Sequence, residues 1–198
     1  MPLFLRIVSA LLIAISASKF SFGNDELPIT TIGYLDLIKD VRYEDWGIHP
    51  VDIRSATAIV DRRAYAGAQL AVEELKQFTR IAKTRFALQR EQVGDAAEML
   101  TSINLLRKTG IQFFLIDAPD AVVAEVAMQT RDQDVYLFNT TATGDELRNE
   151  HCQQHLFHIA ASRSMLSDSV AQYLVAQKWN RVLVLRGPLP EDTKMTQA

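Results

Sequence analysis

Scarcity sets the first limits. One cysteine, Cys152, in 198 residues excludes an intrachain disulfide framework. Eight glycines and six prolines exclude a collagen-like or linker composition. Charge is not one-sided: 21 Lys+Arg against 24 Asp+Glu gives a net charge of -3, so no basic excess points to nucleic acid. Catalytic fingerprints are missing too. The chain holds no G-x-G-x-x-G, no G-x-x-x-x-G-K-[ST], no G-x-S-x-G and no H-E-x-x-H. What is present is a globular composition, 48% hydrophobic and 23% charged, enough for one real core.

The N-terminus is set apart from the fold. Arg6 precedes an 11-residue apolar run, Ile7 to Ala17, and Ser21-Phe22-Gly23 places small residues at -3 and -1. A membrane span needs about 20 apolar residues, so the run reads as a secretory signal peptide over residues 1–23, cleaved before Asn24. Losing Arg6 and Lys19 leaves 19 basic against 24 acidic residues, a mature charge of -5. The expectation is an exported, periplasmic chain, not embedded in the membrane after cleavage.

Beyond it, strands and helices alternate. Ile29–Ile38 is β-branched and apolar, and predicts a buried strand. Lys39–Arg62 has no clear period and holds Trp46, a residue that either stacks on a ligand or covers the core. Arg63–Arg80 predicts a helix with Ala64, Ala68, Ala71, Leu75 and Phe78 on its inner face. Arg85–Gln92 predicts a half-exposed strand. Asp95-x-x-Glu98 is a capping box opening a helix with Met99, Ile103 and Leu106 inward, ended by Gly110. Ile111–Ile116 predicts a central strand, and Pro119 suits the first turn of a helix over Ala121–Thr130. Val135–Phe138 and Leu156–Ala160 predict strands, and Ser162 or Ser164 caps a helix through Lys178. Arg181–Leu185 predicts a last strand, and Glu191–Ala198 shows no helix pattern.

This alternation implies right-handed crossovers and an α/β, doubly wound parallel sheet. Ligands on such sheets bind outside the carboxyl ends of the strands. Four loops are thereby nominated: Asp36 onward, Gln92–Asp95, Asp117–Asp120 and Asn139–Thr143. In the last, Thr140, Thr141 and Thr143 place hydroxyls beside backbone N–H groups. That chemistry suits a small polar ligand, a carboxylate above all, or else a solvated turn. Asn139-Thr140-Thr141 also matches an N-glycosylation triplet. Asp117 and Asp120 read either as paired acid/base carboxylates or as caps for the next helix. His151, Cys152, His155 and His158 are metal-like in composition, yet no acidic residue at helical spacing completes a ligand set, and packing histidines are the expectation.

With these residues in hand, the chain resembles the type I periplasmic substrate-binding proteins of ABC transporters, near the branched-chain amino acid binders. The matching pieces are Ile32-Gly33-Tyr34, Ala66 to Leu75, Asn139 to Thr143, and Phe157-His158 leading into the Ser-capped helix. Arg62 to Gly67 and Leu185 to Pro188 look like the binders associated with PQQ-dependent alcohol dehydrogenase systems. The resemblance implies a non-enzymatic solute binder with no cofactor and a membrane permease as partner. It places the ligand against Asp117, Ala118, Asp120, Asn139, Thr140, Thr141, Thr143 and Trp46. It also implies an N-terminal lobe over 24–160 and an incomplete second lobe over 161–198, whose apolar side chains then lack a partner layer. Asp117-Ala-Pro-Asp replaces the family's hydroxyl-rich loop, which favours a neutral or cationic ligand. A sensory module of a signalling receptor and an enzyme on the same sheet are the alternative functions.

Overall fold

The computed structural model describes residues 27–43, 63–188 and 190–197. Its centre is a five-stranded, wholly parallel sheet in the order β2-β1-β3-β4-β5. The strands are β1 (Ile29–Leu37), β2 (Arg85–Val93), β3 (Phe113–Asp117), β4 (Tyr136–Asn139) and β5 (Leu156–His158). The helices are α1 (Ala64–Leu75), α2 (Thr79–Ala82), α3 (Ala96–Lys108), α4 (Asp120–Thr130), α5 (Arg163–Ala176) and α6 (Pro190–Gln197).

Side chains alternate across each strand, so one face takes Leu35, Leu37, Phe114, Ile116, Leu137 and Leu156. These pack with Met99, Ile103 and Leu106 of α3 and Val123, Val126 and Ala127 of α4 in one buried cluster. The other face carries Tyr34, whose ring meets Tyr65 of α1 edge-on at 5.0 Å. Helices thus flank both faces, and the doubly wound α/β architecture expected from the alternation is the one observed.

Local signals explain the element ends. Asp95 caps α3, its carboxylate accepting the Glu98 N–H at 2.9 Å, while Glu98 reaches back to the Gly94 N–H at 2.7 Å. Asp95→Ala is expected to cost about 1 kcal/mol in urea unfolding, the usual worth of such a cap. Gly110 closes α3 at φ 95, with its N–H on the Arg107 carbonyl and that of Ile111 on Leu106. This is a Schellman ending, and only glycine takes that backbone without strain. Ser162, rather than Ser164, caps α5 by accepting the Met165 N–H. Pro119 sits at the cap itself, one place before the first turn, and Asp120 opens α4.

Three expectations are corrected. The helix expected over 63–80 breaks after Leu75 into a 3₁₀ turn, Lys76–Phe78, and then α2. The tighter turn resets the rotation. Phe78 therefore faces solvent; Ala71, upstream of that turn, is exposed as well, and no residue of α1 is fully buried. No strand forms at Arg181–Leu185, because no described strand lies alongside to complete its backbone pairing. Leu183 and Leu185 there are 82% and 85% exposed. Residues 190–197, expected to lack helix, form α6, opened by Pro190 where its missing N–H costs nothing.

Two apolar surfaces stay open. On the α1 side of β3–β5, Phe113, Tyr136 and Phe157 are each about two-fifths exposed, and Phe113 stacks on Tyr136 at 5.5 Å. The apolar side chains Leu166, Val170 and Tyr173 of α5 are also exposed. Amides at Val182–Leu185 are expected to exchange with solvent far faster than those of Phe113–Asp117, which lie in the ladder. Equal protection in a hydrogen-exchange time course would refute the exposed state.

Candidate functional site

The carboxyl ends of the strands form a polar rim. Register sets Gln92, Asp36 and Asp117 side by side on β2, β1 and β3, all on the α1 face. Asn139 and His158 are adjacent on β4 and β5, on the opposite face. Asp36 and Asp117 are 1% and 0% exposed, so each needs a compensating charge.

Each has one. Arg90 grips Asp36 with two bonds, at 3.0 and 2.6 Å, joined by Arg63 at 2.8 Å and Gln92 at 3.1 Å. Burial opposes ionisation of Asp36, but the bonds from Arg90, Gln92 and Arg63 outweigh it and hold the carboxyl below its ordinary 3.8. Arg42 bridges Asp40 and Asp117 at 2.6 and 3.0 Å. Burial likewise opposes ionisation of Asp40, and Arg42 reverses it, leaving a lowered pKa.

Asp117 also accepts Tyr34 Oη–H at 3.0 Å, Tyr43 Oη–H at 2.9 Å and Thr141 Oγ1–H at 2.7 Å. Burial, then the Asp117 charge, raises the hydroxyl of Tyr34 well above its ordinary value and pushes that of Tyr43 up to about 12. Both phenols stay protonated and donate. Guanidinium–ring contacts tie the same loops, with Arg90 4.1 Å from the Tyr65 centroid and Arg63 5.3 Å from that of Tyr43.

The Asn139–Gly144 loop is shaped by its own polar groups. Asn139, fully buried, accepts the Thr141 and Ala142 N–H groups and donates to the Ala142 carbonyl. Its burial also removes the triplet as a glycan acceptor in the folded chain. Thr140 donates through both its N–H and its hydroxyl to the Ile116 carbonyl. Asp120 accepts the Gly144 N–H at 2.9 Å and pairs with Arg163 at 2.8 Å. Arg163, itself 6% exposed, also meets Glu146 at 3.2 Å, and its backbone N–H bonds the Thr143 carbonyl.

Of the residues nominated from sequence, Asp117, Ala118, Asp120, Asn139, Thr140, Thr141 and Thr143 come together on this rim. Trp46 lies outside the described residues. Asp117, Ala118 and Asn139 are buried within the rim, while Asp120 and the three threonines keep partial exposure. Sequence reasoning missed Arg42, Tyr43, Arg63, Arg90 and Arg163. One signal was available: a lone Asp36 in an otherwise apolar strand demands cationic partners.

The histidines do not converge. His155 Nε2 lies 3.0 Å from Thr130 Oγ1, which already donates to Val126, so the ring donates. His158 Nδ1 accepts from Asn139 Nδ2 at 3.1 Å. Among the described residues no group of three or more His, Cys, Asp or Glu is placed to hold a metal ion. Burial lowers both ring pKa values, and for His158 the charge on Arg148 adds to it. A shallow groove of about 410 Å³, lined in part by Asp145, Glu146, Arg163 and Lys194, lies beside α5 rather than at the threonines.

The shifts of Asp36, Asp40, His155 and His158 share a sign. Groups with depressed folded-state values contribute stability above their ordinary pKa and lose it as pH falls. The histidine part is whole above 6.5 and the carboxylate part above 3.8. The urea midpoint is expected to be flat from pH 7 to 8, to decline below 6.5, and to drop steeply below 3.8. A midpoint that rises on acidification contradicts these pairings.

No protein-family model and no curated protein matches the sequence. Solved structures do share the fold. An ABC transporter substrate-binding protein from Desulfitobacterium hafniense, in complex with Leu, aligns at TM-score 0.59 and 15% identity, covering 85% of this chain and 45% of its own. A second structure of an ABC transporter substrate-binding protein from that organism aligns at TM-score 0.57 and 16% identity, covering 86% and 45%. The present chain thus spans about half the length of these neighbours and shares the fold of the part it covers. No helix among the described residues is long and apolar enough to cross a membrane.

Proposed function

We propose that the chain is the ligand lobe of an extracytoplasmic solute-binding protein that delivers a small molecule to an ABC permease, without transforming it. One observation carries this reading: polar loops gather at the carboxyl rim of a parallel sheet, on a fold shared with a leucine-bound transport protein. The ligand rests against Asp117–Asp120 and Asn139–Thr143, and Trp46 is carried as a further ligand residue on the sequence reading alone. Residues 1–23 direct export to the periplasm, 24–160 form the lobe, and 161–198 open a second lobe. The open apolar sides of α5 and Val182–Leu185 support that last assignment. The likeness of Arg62–Gly67 and Leu185–Pro188 to binders of PQQ-dependent alcohol oxidation systems supports a link to that chemistry.

Titration of the isotope-labelled protein with pools of small metabolites, read by amide chemical shifts, tests the reading. Saturable shifts confined to Asp117–Asp120 and Asn139–Gly144, with every pool member recovered unchanged, support it. Conversion of any pool member to product favours an enzyme and overturns it.

A further inference from the structure

The rim's polar groups are unevenly used. Most of its donors are committed inside the protein, the N–H and hydroxyl of Thr143 excepted. In Thr140–Gly144, the N–H groups of Thr140, Thr141, Ala142 and Gly144 all bond to protein acceptors. The Thr140 and Thr141 hydroxyl protons go to the Ile116 carbonyl and to Asp117. The acceptors are not committed to the same degree. A hydroxyl oxygen carries two lone pairs. Thr140 Oγ1 receives no bond among the described residues, Thr141 Oγ1 receives one from Arg42, and Thr143 Oγ1 only a long one, 3.4 Å, from Arg163.

Among the described residues, charge leaves no pull on an anion either. Asp36, Asp40, Asp117, Asp120 and Glu146 are met by Arg42, Arg63, Arg90 and Arg163, five against four. Those guanidinium groups are aimed at carboxylates and at the Leu37 and Ile38 carbonyls. A ligand carboxylate arriving at Thr140 and Thr141 exchanges its water shell for hydroxyl oxygens that have already given up their protons, and that exchange is unfavourable. An ammonium or hydroxyl group finds acceptors waiting.

We infer that this rim selects a hydrogen-bond-donating ligand, an uncharged polyol or alcohol or a primary ammonium, and discriminates against a free carboxylate. The inference rests on the solute-binding reading and names the ligand class for that site. The Thr140 and Thr141 oxygens are its specificity elements.

Three probes with one isobutyl tail separate the heads: leucinol carries an ammonium and a hydroxyl, 4-methylpentanoate a carboxylate alone, and leucine an ammonium and a carboxylate. Each is titrated into the full labelled chain and followed at the Thr140–Gly144 amides. Leucinol is expected to saturate these shifts at least ~10-fold more tightly than 4-methylpentanoate, a gap of ~1.4 kcal/mol, with leucine between them. Thr140→Val, checked for unchanged melting, is expected to weaken leucinol about tenfold and leave 4-methylpentanoate unaffected. Equal or tighter binding of 4-methylpentanoate overturns the ligand class and leaves solute binding intact. Silence of these amides with all three probes also overturns the ligand class, and the metabolite-pool titration then decides the broader reading on its own.

Discussion

Replacing Asp117 by alanine is expected to lower the unfolding free energy by about 3–5 kcal/mol, the cost of breaking a buried ion pair from one side. The side chain is wholly buried and gathers Arg42, Tyr34, Tyr43 and Thr141. Arg42 keeps Asp40 and partial contact with water, so its loss is softened. Tyr34 has no such relief: at 0% exposure its hydroxyl is left with nothing to bond, worth about 1–3 kcal/mol by itself. The double variant Asp117→Ala, Tyr34→Phe is therefore expected to recover about 1–3 kcal/mol over the single one. Urea unfolding of the four proteins completes the cycle. A single-variant loss under about 1 kcal/mol would show that Asp117 is not the hub of this network.

Gly33→Ala is the second large effect. A Cβ at Gly33 would lie 2.5 Å from Cδ1 and 2.8 Å from Cε1 of Phe114. Phe114 is paired with Gly33 in register and is 0% exposed at the centre of the core. Its ring has no free volume to turn into, because the core is close-packed. The expected cost is about 1–3 kcal/mol from overpacking. The mechanism has its own check: Gly33→Ala with Phe114→Leu removes the clashing ring carbons. The pair is expected to be less destabilised than the sum of its members. Strict additivity would place the cost elsewhere.

The two positions explain why the rim is stiff. β1 must approach β3 closely at Gly33, and three residues further on the same strand presents Asp36 to Arg63 and Arg90. The charges beneath the threonines are thus held by a rigid sheet. The loops above them are tied by Arg42 and Arg163, so the threonine oxygens are positioned before any ligand arrives.

Much of this architecture was legible in the order of residues. Apolar runs such as Ile111–Ile116 are legible because central parallel strands read as near-continuous apolar stretches, even where, as at Phe113, one face stays partly open. The Asp95–Glu98 box and Gly110 are legible because caps act through backbone groups a few residues away. The same locality brought Asp117, Asp120 and the threonines onto the nominated loops, since strand ends follow from strand positions.

The tertiary structure alone decided three things. It decided that Arg181–Leu185, apolar and β-branched, does not become a strand, because a strand is completed only by a neighbour. It decided where the helix after Arg63 stops, since one 3₁₀ turn at Lys76–Phe78 follows α1 and leaves Phe78 exposed. Above all it decided which polar groups at the rim are spent. Arg42 lies 75 residues from Asp117 and Arg163 lies 43 from Asp120, and no sequence pattern records those pairs. Spacing along a chain determines which face a group can share; only folding brings the distant cation that cancels its charge, because Coulomb energy depends on distance through space.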